Sequence, residues 1–502
     1  MNAQAARLAG FLVATLLTVG ACGGGSGGGV AAPLPTSPQP VGGITRTGVA
    51  FAVGPVTAFG SVVVNGITYD TSAAKITVDG QQATQADLAV GDMVLVKGTI
   101  DDDNTNAVAE SVESDDIVEG PVSSINTGTE IMVVLGQTVK FGDAIFDDDC
   151  PAILNDLLTV VAVEVHGQVM DGGTIDATRI ECKNVLGEME VTGIVSALGS
   201  TTFMINGLVV NFTSFPAAID NFPTPGIISG GDPVEVKGND FVDGTDDLIA
   251  TRVEFKGDRF DDNDGDHAEI EGFINEFESS DLEFKVGITR VITIPGTTFE
   301  GGTAADLGDN LKVEVEGEFV DSVLNVTHVE IKRATTVRLT AQVDTTNGSS
   351  FVMLGVTVNT EQGKTRFEDK TGLEGDNFDV SDINTDDYVE VRGQGFPADD
   401  GTTIIEVFAL IVERDDFDTE VIIQGFIETG GITRSTTITV LGVTIEIDDA
   451  TTVFRNDDES EIEDPDEFWD RISAGSLIKA KGTEDMARPQ TLIAEEIEIQ
   501  VE

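Results

Sequence analysis

One short stretch recurs along the whole chain and constrains its fold more than anything else: Gly231-Asp232-Pro233-Val234-Glu235-Val236-Lys237-Gly238. It returns as Gly91-Asp92-Met93-Val94-Leu95-Val96-Lys97-Gly98 and, more loosely, as Asp386-Asp387-Tyr388-Val389-Glu390-Val391-Arg392-Gly393, with weaker copies ending at Gly167, Gly317 and Gly482. Each copy alternates apolar and polar residues, is rich in β-branched side chains and is closed by a glycine that lets the backbone bend, the signature of a short strand. Six copies predict six repeated units.

Around this strand the units share an order. A first strand carries a central glycine, as in Val118-Glu119-Gly120-Pro121-Val122 and Ile270-Glu271-Gly272-Phe273-Ile274. A hairpin follows; Asn65-Gly66 and Asn206-Gly207, each between apolar runs, predict two-residue turns with positive φ. Then come a variable segment with at most a helical turn (Thr84–Leu88 in the first unit), the recurring strand, and a closing strand such as Ala250–Lys256. Five short strands per unit suit a small closed barrel, because closure removes exposed edges. The order of three strands, an insert and two strands is that of an oligonucleotide/oligosaccharide-binding (OB) barrel, a likeness of topology that carries no function. A small sandwich is the alternative. The expected fold is therefore all-β: six tandem five-stranded OB-like barrels over 44–116, 117–186, 187–260, 261–334, 335–416 and 417–502. Within a unit, Glu235 and Lys237 fall on one outward face and read as a weak surface pair.

The charge balance restricts partners. Lys and Arg total 28 against 89 Asp and Glu, a formal net charge of −61. Such a surface repels phosphate backbones and anionic lipid, so nucleic acid is excluded as a partner.

The first residues carry an address. Arg7 followed by the apolar run Leu8–Leu17 reads as a secretory signal over 1–21, too short to span a membrane. Val19-Gly20-Ala21-Cys22 resembles the lipobox of bacterial lipoproteins, which implies lipidation at Cys22. Gly23 stands where an inner-membrane retention signal would place Asp, which favours the outer membrane. A Gly-rich then Pro-rich tether occupies 22–43.

The pattern Gly54-Pro55-Val56-Thr57-Ala58-Phe59-Gly60-Ser61-Val62-Val63-Val64-Asn65-Gly66, joined with Leu88-Ala89-Val90-Gly91-Asp92, resembles the bacterial domain-of-unknown-function family numbered 5666, found in tandem in secreted lipoproteins. The fifth and sixth units depart most, through inserts at 361–382 and 456–469. The resemblance implies envelope localisation and tandem β domains, and brings no activity and no catalytic residues.

Candidate sites are few. Cys150 and Cys182, both in the second unit, suit a disulfide in an oxidising compartment, with two buried thiols as the alternative. Asp261, Asp262, Asn263, Asp264 and Asp266, with Glu271 at the twelfth position of an EF-hand-like loop, are the sharpest candidates for calcium; Phe260 at the first position breaks that motif. His166, His267 and His328 sit in separate units, so no two are expected to share a metal. No nucleophile elbow, phosphate loop or dinucleotide fingerprint appears. The sequence thus predicts a non-enzymatic, lipid-anchored envelope protein, a monomeric string of barrels with no required cofactor, serving as spacer, scaffold or binding surface for an unknown protein or surface ligand. A calcium-dependent adhesion module and a hydrolase with an unrecognised carboxylate site are the alternatives.

Overall fold

The computed structural model describes residues 49–502 except 60, 101–105, 152, 214–216, 243–246, 258–259, 261–262, 333–334, 374–377, 398–403, 457–459 and 501–502. Each of the six units is built on one five-stranded plan. In the first, Val49–Ala58 pairs with Val62–Val64, which turns back into Ile67–Asp70. Ile67–Asp70 lies parallel to the closing strand Asn106–Ser114, which pairs antiparallel with Met93–Ile100, and that strand returns to Val49–Ala58. The circuit 1-2-3-5-4-1, with its parallel seam between third and fifth strands, is OB topology. The hairpin turns form as their residues demand: Asn65 and Gly66 take φ of 50° and 77°.

The recurring strand does not end at its glycine. It runs through it, from Met93 to Ile100, Pro233 to Val242 and Lys312 to Val320. In all six units the register against the closing strand slips at that glycine, so Glu110, Thr178, Thr251, Thr327, Leu410 or Glu495 bulges out unpaired. A bulge bends and twists its strand, which is what a five-stranded sheet needs to close. The bend brings the glycine against the opposite backbone. An added Cβ would lie 2.4 Å from the Val108 carbonyl at Gly98, 2.6 Å from Ile249 at Gly238, and 2.0 Å from Ile493 at Gly482.

The inserts are more ordered than a helical turn. Lys75–Val78, Ala218–Asp220, Arg366–Asp369 and Val453–Arg455 extend the parallel seam along the closing strand. Gln85–Asp87 is a 3-10 turn, and in the sixth unit the insert makes a helix, Pro465–Arg471, whose Phe468 and Trp469 are buried in the core.

The barrels are not separate beads on a string. Residues 44–502 form one compact unit. First strands pair across barrels: second with third (Val118 opposite Val191), fifth with sixth (Leu339 opposite Ile423), and first with fourth in parallel (Ala50 opposite His267). The second and third barrels share one apolar core, as do the fifth and sixth, while Phe51 and Leu95 of the first barrel pack into the core of the fourth. Joining first strands in this way satisfies edge N–H and C=O groups that an isolated barrel would leave to water.

The glycine rule is testable. Gly238→Ala should cost about 1–3 kcal/mol in a denaturant titration, because the methyl meets fixed backbone. Gly230→Ala, with open space around it, should stay within about 0.5 kcal/mol.

Candidate functional site

The chain spends its scarce cations between barrels. Arg392 of the fifth barrel donates to the carbonyls of Gly142 (2.9 Å) and Ala144 (2.7 Å) in the second, and its other terminal nitrogen pairs with Glu413. Arg366 donates to Thr178 O at 3.2 Å and Asp143 O at 3.3 Å. Arg338 joins Glu390 in its own barrel to Glu130 in the second. Buried carbonyls and carboxylates at a barrel junction have lost water, so a guanidinium with several donors is the side chain that can satisfy them.

The densest junction lies where the first, second and fifth barrels meet around Val90, Ile145 and Ile411. The Gly-Asp of the recurring motif supplies it. Asp92 Oδ2 accepts from the Ala89 N–H at 2.7 Å, a turn bond that Asp232 and Asp387 repeat in their own barrels. Gly91 (φ 96°) leaves room for the second barrel: its carbonyl accepts from Thr178 Oγ1 at 2.6 Å, and a Cβ there would sit 2.8 Å from Thr178 O. Thr178 is the bulged residue of its barrel, so the device that closes one barrel also docks the next.

Asp92 Oδ1 then faces the second barrel. His166 Nε2 lies 3.6 Å from it and 3.3 Å from Glu164 Oε1. Arg179 Nε is 3.7 Å from Asp92 Oδ1 and 3.1 Å from Glu181 Oε1, and its Nη2 is 2.6 Å from Asp147. Lys183 bridges Glu164 (2.6 Å) and Glu181 (3.1 Å). Asp92, Glu164, His166 and Arg179 are all buried. Burial alone would pull the His166 imidazole down, but Asp92 and Glu164 outweigh it and bring it up to about 9. Burial pushes the Asp92 carboxyl up against the pull of His166 and Arg179.

Beside this junction runs a row of like charges. Glu181, Glu164, Glu119 and Glu190 stand opposite one another across neighbouring strands of the second and third barrels. Such pairs repel unless cations intervene. Lys237 meets Glu190 and lies 3.6 Å from Glu235, and Lys256 joins Glu235 (2.5 Å) to Asp115 (3.3 Å). Glu235 and Lys237 therefore face this junction rather than water, and Glu235 is 3% exposed. Their outward alternation is real, but the outer face of one barrel is the inner face of the assembly. Asp116 stays without a hydrogen-bond partner on either oxygen, and burial with the nearby Glu190 and Asp79 holds its pKa well up.

The sequence-predicted sites fall elsewhere. Cys22 lies outside the described residues, as do Asp261 and Asp262. Asp266 Oδ2 accepts from the Asn263 N–H at 2.8 Å and its side-chain amide at 3.3 Å, and Asp264 Oδ1 accepts from the Asp321 N–H at 2.9 Å. The Asp266 bonds shape the local turn, and the Asp264 bond ties this segment to the turn that follows Lys312–Val320. Glu271 sits in the strand His267–Asn275, 3.3 Å from Lys312 Nζ, so the structure gives it a cationic partner of its own and does not bring it to the loop as a twelfth ligand. Cys150 and Cys182 are joined as a disulfide with Cα atoms 5.0 Å apart. The histidines do not all lie in separate barrels: His166 belongs to the second, but His267 and His328 both belong to the fourth, on the strands His267–Asn275 and Val323–Ile331. What the sequence conceals is that His166 meets a carboxylate from a different repeat.

Comparison with known proteins agrees with the six-fold plan. The model of a family described as a domain of unknown function (DUF5666) matches six times, over 53–113, 119–181, 192–254, 271–330, 340–404 and 424–498. The chain belongs to that family, as six tandem copies of its domain. No curated protein matches it.

Two outcomes are expected. Burial, with Glu164 beside it, lifts Glu119 to about 7 from an ordinary 4.5, so the folded state keeps a proton that the unfolded chain releases. Stability should therefore fall as pH rises from about 4.5 to about 7, and Glu119→Gln should flatten that fall in melting curves taken at pH 5 and pH 8. Opening the disulfide with Cys150→Ser plus Cys182→Ser should cost about 3 kcal/mol in denaturant titrations.

Proposed function

We propose that this chain is a non-enzymatic, lipid-anchored protein of the bacterial cell envelope, held at the outer membrane through Cys22, whose joined barrels form a scaffold with an acidic binding surface. The observation that carries this reading is how the interiors are used. Apolar side chains fill the described barrel interiors, some of them as cores shared between neighbours, with Phe203, Phe351 and Phe468 among those fully buried, so those interiors are packed rather than open to a substrate. Surface clefts are shallow. One, of about 270 Å³, is lined by Tyr388, Phe417 and Leu373 beside Asp386, Asp387, Asp415 and Asp416. Another, of about 220 Å³, is lined by Asp79, Glu235, Lys237 and Lys256.

The pairing of first strands favours a compact body over an extended spacer. With a net charge of −61, that body suits a cationic or metal-bridged partner protein rather than nucleic acid. The exposed Phe417, edge-on to Tyr388 at 6.2 Å and ringed by carboxylates, is the kind of patch on which a basic side chain settles.

Crosslinking on intact cells tests the reading. Discrete protein adducts are expected from the wild type; Cys22→Ala should leave the outer-membrane fraction and lose them, and Phe417→Ser should weaken them while membrane attachment persists. Turnover of a peptide, ester or glycan substrate by the purified chain would overturn it.

A further inference from the structure

The junction of the first and second barrels holds donors that its hydrogen bonds leave unused. Asp92 is 3% exposed and His166 is 2% exposed, yet Asp92 Oδ1 and His166 Nδ1 have no hydrogen-bond partner. Buried polar atoms are rarely left so, because each costs the solvation it gave up. One ligand atom each from Asp92, His166 and Glu181 lie within 4.8 Å of one another, and among the described residues this is the one group of three such side chains that meets that spacing. Donors around a single divalent ion at bond lengths of about 2.0–2.4 Å stand about that far apart at most.

Charge points the same way. Asp92, Asp147, Glu164, Glu181 and Glu368 lie against Arg179 and Lys183, five carboxylates on two cations, with Lys370 also acting on Glu368. We infer that Asp92, His166 and Glu181 form a binding site for a first-row divalent cation such as Zn²⁺ or Mn²⁺, which ties the first barrel to the second. One imidazole with two carboxylates is a donor set for those ions rather than for calcium, which takes oxygen alone. Arg179 and Lys183, already on Glu181, become the outer partners that orient it. The site belongs to no single repeat: Asp92 comes from the first and His166 and Glu181 from the second.

The test uses the full chain, stripped with chelator and titrated with ZnCl₂ and with MnCl₂ by calorimetry, with melting followed in parallel. One ion per chain should bind at micromolar or lower concentration and raise the melting temperature. Glu181→Gln and His166→Gln should each weaken binding at least tenfold. Asp266→Asn, in the acidic loop of the fourth barrel, should leave it unchanged. The bound Mn²⁺ should show nitrogen coupling in its electron spin echo, lost in His166→Gln. If His166→Gln fails to fold, Glu181→Gln, on a half-exposed strand position, decides alone. No binding up to 100-fold above the micromolar range, or binding undiminished in Glu181→Gln, would overturn the site.

Discussion

Each barrel depends on one close approach, that of a glycine in the recurring strand to a carbonyl of the closing strand. Only a residue without a side chain lets the two backbones come so near, and only that approach lets the closing strand throw out its extra residue and bend. Remove it and the five strands remain a flat ribbon with two edges, unable to enclose Val, Ile and Phe side chains. The six-fold repetition of a motif that ends in glycine is thus a repetition of curvature. Its value to the protein is doubled at Thr178, where the bulged residue reaches Gly91 of the next barrel.

The second constraint is electrostatic. With 89 acidic residues against 28 Lys and Arg, ion pairs such as Arg434 with Asp466 and Arg290 with Glu283 can cover only part of the surface. Arg179, Arg338, Arg366 and Arg392 go instead to the junctions, where carbonyls and carboxylates are dry and a cation is worth most. The outer faces carry the excess of carboxylates, while the inner seams hold. Where cations run short, as at Glu119 and Glu190, burial favours the protonated carboxyl, and there the fold acquires its dependence on pH.

Much of the barrel was legible in the sequence. Alternation marked the strands, Asn65-Gly66 marked a turn, and five strands with an insert implied closure. The glycine was correctly seen as special but misread as a terminus, because a bulge is defined by the partner strand and one strand's pattern does not contain it. Relations between repeats were hidden for the same reason. Periodicity tells which face of a strand is polar, and not whether that face meets water or another barrel, so Glu235 and Lys237 looked like surface. Asp92 and His166 lie in different repeats, and aligning the copies draws attention to what they share rather than to what each alone possesses. The acidic stretch 261–266 stands out by composition; of its described carboxylates, Asp264 and Asp266 accept backbone N–H groups, and Glu271 lies beside Lys312.

The parallel pairing of Ala50–Val53 with His267–Ile270 has a consequence for the order in which the chain matures. A polypeptide made from its N-terminus completes the second and third barrels as neighbours, each finding its mate as it emerges. The first barrel cannot do so: one margin of its leading strand stays bare until the fourth has crossed. Throughout that interval it presents an adhesive edge to every other nascent chain, so folding becomes a race between completing the chain and mispairing.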